Sequence, residues 1–247
     1  MNETQPTHAA DPAAGKVKPK RRILRTLAIV AAVAAVVLFA AHRIWTGSGS
    51  NDWQLAIDQD GVKVWTLKAP GTPLVKVKAH ARVKAPMAGM VRLLEDLDSC
   101  VDAQCYDAKM IERLPTEPGR YAAYVRFKFD VPGFGTQDYV LFQQRTQDPV
   151  TKKLDMSLLA APGRIPRDDC CVRVTHLYNT WAITPLDDGL LDIEFVQDTD
   201  AGGLPYLLAN WGLQQGTYDV MRGMQDLMNK ERYRDARLDE IQELTAR

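Results

Sequence analysis

Residues 172–210 read VRVTHLYNTWAITPLDDGLLDIEFVQDTDAGGLPYLLAN, and the reading of this stretch decides the fold. Val172, Val174, His176 and Tyr178 alternate with Arg173, Thr175, Leu177 and Asn179, the period of two that a strand imposes. Residues 181–185 close that strand, Leu186-Asp187-Asp188-Gly189 supplies turn chemistry, and residues 190–197 run back as its hairpin partner. Asp200-Ala201-Gly202-Gly203 breaks the pattern, and Pro205 stands where a first helical turn tolerates proline. From there Leu204, Leu208, Trp211, Val220, Met224 and Leu227 mark an apolar stripe on one long helix.

The ordered set Arg173, Trp181, Ile183, Pro185, Gly189, Asp200, Gly202, Gly203, Pro205, Leu208 and Asn210 resembles the C-terminal half of the START (steroidogenic-acute-regulatory-related lipid-transfer) family. The resemblance reaches upstream to Trp53, with Asp60-Gly61-Val62-Lys63-Val64-Trp65 similar to the family's opening strands, and covers residues 53–229. It implies an α+β helix-grip fold: a curved antiparallel sheet wrapped around a long C-terminal helix, with a lipid-sized cavity between them. It also implies non-catalytic binding and transfer of a lipid or other hydrophobic ligand, with no cofactor.

The zero net charge hides an asymmetry. Residues 1–50 carry seven Lys/Arg against two acids, a net of +5, so residues 51–247 sum to −5. A mildly acidic domain argues against a nucleic-acid partner, which needs a basic surface. The basic end has another explanation. Residues 26–41 contain no charge, and the apolar run extends over 23–45 if Arg25, His42 and Arg43 snorkel. Twenty-three helical residues reach about 34 Å, enough for a hydrocarbon core of ~30 Å. Six Lys/Arg precede the charge-free stretch 26–41 and one, Arg43, flanks its other end, so the positive-inside rule puts the N-terminus in the cytoplasm. The expected layout is a disordered tail over 1–22, a single-pass inner-membrane anchor over 23–45, a flexible linker over 46–52 and a periplasmic domain over 53–229. Two rivals are a cleaved signal peptide and a buried core helix. Phe39-Ala40-Ala41 is a poor cleavage site, and Gly47-Ser48-Gly49 lies far from the apolar run.

Within the domain, residues 62–67 and 74–83 read as strands, the second with Val75, Val77, Ala79, Ala81 and Val83 on one face. Pro86 opens a helix. Residues 110–114 and 121–130 flank a hairpin turn at 115–119, and residues 139–145 and 154–160 form a further pair. Residues 230–247 read as a charged, solvated helical extension.

Candidate ligand-binding residues fall on two elements. Leu208, Gly212, Gly216 and Val220 recur every four residues and so share a stripe of the long helix, with Trp211 beside them. Gly212, Gly216 and Gly223 each cost a helix interior ~1 kcal/mol, which reads either as room for a cavity or as close packing on the sheet. Tyr124, Arg126 and Lys128 alternate with Val125, Phe127 and Phe129, and the sequence leaves open which face looks inward. If the polar face does, Tyr124 and Arg126 orient a head group, together with Tyr139, Leu141 and Gln143 on the next strand. The family often has an Arg-Asp pair where this chain has Gln137-Asp138. Sterol-binding members also tend to bury a Glu–Arg pair, at places that here hold Tyr124 and Gln143. Pro132-Gly133-Phe134-Gly135 would be the loop at the cavity mouth.

An extracytoplasmic domain permits disulfides, and Cys100 and Cys105 are close enough in sequence to pair. Cys170 and Cys171, on opposite faces of a strand, would pair only with strain and are expected free. Cys170 and His176 lie about 20 Å apart on that strand, too far to share a metal. No G-x-S-x-G, H-E-x-x-H or Gly-rich nucleotide loop occurs. Glu95, Asp96 and Asp98 read as solvating charges, and His80 as exposed. Two other functions compete with lipid binding. One is a ligand-free interaction module tethered to the membrane. The other is a cyclase- or aromatase-like enzyme using Tyr124, Arg126 and Gln143, by likeness to helix-grip polyketide cyclases.

Overall fold

The computed structural model describes residues 20–244, so the expected tail lies largely outside the described residues. The chain divides into two units, 1–45 and 46–247, each described by itself. The first is helix α1, which runs Lys20–Gly47 and crosses the boundary by two residues. Within Arg22–Gly47 a stretch of 18 residues has a mean hydropathy of 2.5, and the segment is long and apolar enough to cross a membrane.

The second unit is built on one sheet. In chain order its strands are β1 (Trp53–Gln59), β2 (Val62–Lys68), β3 (Val75–Lys84), β4 (Tyr106–Arg113), β5 (Arg120–Val131), β6 (Gly135–Gln147), β7 (Leu154–Ala160), β8 (Val172–Arg173), β9 (His176–Pro185) and β10 (Leu190–Asp200). They lie in the order β1-β2-β3-β10-β9-β7-β6-β5-β4, with every neighbour in that path antiparallel; β8 sits off it, parallel to β6. Helix α2 (Met87–Glu95) and a 3-10 turn (Leu97–Ala103) connect β3 to β4, and α3 (Tyr206–Met228) follows β10.

Alternation explains the sheet. Val75, Val77, Ala79, Ala81 and Val83 of β3 are buried on its inner face, and register places Val83, Ala81 and Ala79 beside Leu191, Ile193 and Phe195 of β10. Thr217, Tyr218, Met221, Met224 and Met228 of α3 are buried on the helix side, which packs on β2 and β3. A second cluster, Tyr121, Ala123, Val125, Leu141, Val174 and Leu177, fills the β5–β6 side. On the outer face His80 is half-buried rather than exposed, because Asp192 takes its ring nitrogen at 2.9 Å.

The structure corrects several expectations. The strand read from Val172 is broken at Val174-Thr175: Arg173 and Val174 are both buried, so the period of two fails there. Asp138 is the cause. Its carboxylate accepts from Arg173 Nε at 2.9 Å, and its carbonyl accepts the Val174 N–H at 3.0 Å. Cys170 and Cys171 therefore lie in a turn, not on a strand, and are joined to each other; Cys100 and Cys105 form a second disulfide.

The 230–244 segment is not a solvated helix. After one turn, α4 (Glu231–Arg234), it packs back with Tyr233, Ala236 and Ile241 buried. Glu243 accepts the Met87 and Ala88 N–H groups, both at 2.9 Å, capping α2, whose Pro86 offers no side-chain cap. Glu95 is not a solvating charge either, since it pairs with Arg145 at 2.5 Å beneath the sheet. Burial pushes its carboxyl upward against the opposing pull of Arg145. The linker read as flexible is held: Thr46 O accepts the Gly71 N–H at 2.8 Å, and Lys68 Nζ donates to Ser48 O at 3.0 Å.

Candidate ligand cavity

Between the sheet's inner face and α3 lies a cavity of about 710 Å³. One wall is the end of β5 with the loop that follows, contributing Phe129, Val131, Pro132 and Phe134, and Tyr139 from β6. Two glycines at positive φ, Gly133 (80°) and Gly135 (82°), allow that loop its tight return. The floor is Trp181 of β9 stacked on Phe195 of β10, ring centroids 4.1 Å apart, a cross-strand pair set by register. The helix supplies Leu208, Trp211, Gly212, Leu213, Gly216 and Val220.

The helix glycines decide between room and close packing. A Cβ added at Gly212 or Gly216 meets nothing within 4 Å, so no sheet side chain presses on the backbone there. Trp211, Leu208 and Val220 remain 67%, 47% and 51% exposed. That apolar stripe faces open space, while the residues buried against β2 and β3 occupy another side of the same helix.

Polar groups in the lining are few and uncharged. Gln197 Nε2 donates to Thr217 Oγ1 and to the Leu213 carbonyl, which fixes the amide's orientation, since a carbonyl can only accept. Thr199 donates to Asn179 Oδ1 at 3.0 Å. The Tyr139 ring stacks on Phe127, centroids 5.1 Å apart, and burial alone pushes its phenol up to about 12.

Of the sequence-derived candidates, Tyr139, Leu208, Trp211, Gly212, Gly216 and Val220 line this space. Four do not. The inner face of β5 carries Tyr121, Ala123, Val125 and Phe127, so Tyr124 and Arg126 look outward. There Tyr124 meets Phe142 (5.2 Å) and lies under the Arg164 guanidinium (4.5 Å). Arg126 holds Asp138 at 2.8 Å and Asp168 at 3.2 Å. Leu141 belongs to the packed cluster, and buried Gln143 donates to Leu94 O at 3.0 Å. Asp138, lacking an arginine at position 137, takes its cations from Arg126 and Arg173. Gln137 itself is fully buried, its amide nitrogen and oxygen both without a partner among the described residues.

Sequence reasoning passed over Trp181, Phe195, Gln197 and Thr199 as cavity residues. The signal was available: Ile193, Phe195, Gln197 and Thr199 share one face of β10, and the change from apolar to polar along it tracks the passage from core to cavity.

No family model matches the chain. Among curated proteins, an uncharacterized protein of Pseudomonas aeruginosa is 27% identical over 214 residues, 85% of this chain and 99% of the relative. Among solved structures, a STAR-related lipid transfer protein fragment from Xanthomonas axonopodis superposes with a TM-score of 0.57 at 20% identity, covering 70% of this chain and 98% of that one. The domain has the START helix-grip fold. Human StAR-related lipid transfer protein 5 shares it with a TM-score of 0.60 at 14% identity, covering 82% of this chain and 95% of that one.

Proposed function

We propose that this START-fold domain binds a lipid or other hydrophobic molecule in the cavity under α3 and moves it without covalent chemistry, at the surface of the membrane that α1 spans. The observation carrying this reading is the cavity of about 710 Å³ with an aromatic floor, an apolar helix stripe and glycines where side chains would fill it. Enclosing roughly 400 Å² of hydrocarbon contributes about 10 kcal/mol. Association and ordering costs of about 4–15 kcal/mol offset most of that, which suits a carrier that must release its cargo. The Pro132–Gly135 loop and the first turns of α3 frame the opening and act as its gate. The positive-inside asymmetry supports an anchor with a cytoplasmic N-terminus and the domain on the periplasmic side of the inner membrane. The structures named above as lipid-transfer proteins fit the same reading, and the described residues lining the cavity include no nucleophile–base pair for the competing cyclase-like chemistry.

Native mass spectrometry of the full chain, released from membranes in mild detergent, tests the proposal. A co-purified lipid that is lost in a Gly216→Trp variant is expected. A chain that flies without lipid from every detergent used, wild type and variant alike, overturns it in favour of a ligand-free module.

A further inference from the structure

The cavity's electrostatics narrow its cargo, on the reading that it binds a lipid at all. Among the described residues that line it, none is Lys, Arg, Asp, Glu or His. The segments framing the opening, 129–135 and 199–220, contain no Lys or Arg. Arg222, just beyond them, is engaged with Asp219 at 3.9 Å. An anionic group thus meets no cation in the lining. Within an apolar enclosure an unpaired charge is strongly disfavoured, so a ligand's ionised end has nowhere to go.

Uncharged hydrogen-bonding capacity is present instead. The Tyr139 hydroxyl makes no hydrogen bond among the described residues, and its phenol stays protonated well above neutral pH. It can both donate and accept. On the opposite wall the Gln197 amide has committed its nitrogen to Thr217 and Leu213, leaving its carbonyl oxygen as the free end. Thr199, having donated to Asn179, keeps acceptor capacity. β10 is separated from β6 by β9 and β7, so Tyr139 and Gln197 are distinct polar stations, with hydrocarbon-lined space between them.

We infer that the cavity takes a lipid whose enclosed polar end is uncharged and carries a hydrogen-bonding oxygen, an alcohol or a carbonyl, and that it turns away anionic lipids. Tyr139 is the residue that reads that oxygen. Its ring is fixed by the Phe127 stack, so the hydroxyl is presented without a side-chain ordering cost.

The test uses the full chain in phosphatidylcholine nanodiscs with two photoactivatable probes sharing one sixteen-carbon chain and mid-chain diazirine. One ends in a hydroxyl and the other in a sulfate. Labelling of peptides carrying Phe129 and Trp211 is read by mass spectrometry and normalised to labelling of the nanodisc lipid. The alcohol is expected to label these peptides at least tenfold more than the sulfate. Tyr139→Phe should cut the alcohol's labelling about fivefold, the loss of one hydrogen bond, while leaving the thermal midpoint at pH 7 close to wild type. Equal labelling by the sulfate overturns the inference while leaving lipid binding intact. Equal alcohol labelling in Tyr139→Phe overturns the role of that residue. Labelling by neither probe overturns the lipid-binding reading itself.

Discussion

Replacing Asp138 by asparagine should be among the most damaging single changes in the domain. Its side chain is 1% exposed and sits between Arg126 (Nε–Oδ1, 2.8 Å) and Arg173 (Nε–Oδ2, 2.9 Å), the latter also 1% exposed. Arg126 has a second anion in Asp168 at 3.2 Å, but the other partners of Arg173 are the carbonyls of Pro162, Ile165 and Pro166. Neutralising Asp138 leaves a buried guanidinium with no counter-charge, which costs about 3–5 kcal/mol. Against a total stability of about 5–15 kcal/mol, that is about a fifth or more of the whole. For a domain of this size it lowers the thermal midpoint by roughly 6–20 °C. Thermal unfolding of the full chain in nanodiscs, followed by tryptophan fluorescence, measures it, with Asp168→Asn as the control. Asp168 is 41% exposed and shares its cations with water, so its loss should move the midpoint far less. Equal shifts for the two variants would show that the Asp138 cluster is solvated and the reasoning wrong.

Two other outcomes follow from the cavity. Gly216→Trp should lower lipid occupancy tenfold or more, about 1.4 kcal/mol, because the new side chain projects into the lined space. Stability should hold or rise by a few tenths of a kcal/mol, since a mid-helix glycine is replaced by a better helix former; a loss of 1–3 kcal/mol, the mark of overpacking, would refute the geometry. Tyr139 supplies a pH test. Its phenol titrates at about 12 in the folded chain against about 10 unfolded, so the folded state holds the proton more tightly. Stability is therefore intact below pH ~10 and falls by roughly 2–3 kcal/mol as pH rises toward 12. Tyr139→Phe should lose less than wild type over that window in urea titrations at pH 9 and 11.5, and identical losses would count against a buried phenol.

The sheet and helix were legible because their signals are local. The alternation in β3, the Asp187-Asp188-Gly189 turn and Pro205 ahead of α3 each declare an element without reference to the rest of the chain. Which face of β5 looks inward was not legible, because Tyr124/Arg126 and Val125/Phe127 alternate equally well. Only the aspartates at 138 and 168, brought from other segments, settle that Arg126 has its partners outside. The same non-local ion pairing hid the break at Val174, where Asp138 reaches across to Arg173. Glu95 looked like a solvating charge because Arg145, its partner, lies 50 residues away. Charges are the residues whose placement sequence patterning reads worst, since a periodic pattern marks polarity but not partnership.

The order of the strands also sets a timetable for synthesis. His80 on β3 finds Asp192 on β10 112 residues later, and the cap on α2 at Met87 comes from Glu243, 156 residues on. At about 5–20 residues per second, the apolar face of β3 waits roughly 6–20 s after leaving the ribosome before its neighbour exists. During that interval the β2–β3 pair presents an unpaired, valine-rich edge, the kind of surface that joins to other chains. A nascent chain of this topology keeps that edge open to association until β10 emerges. Losing Glu243 alone would leave every strand present and the first domain helix unsealed.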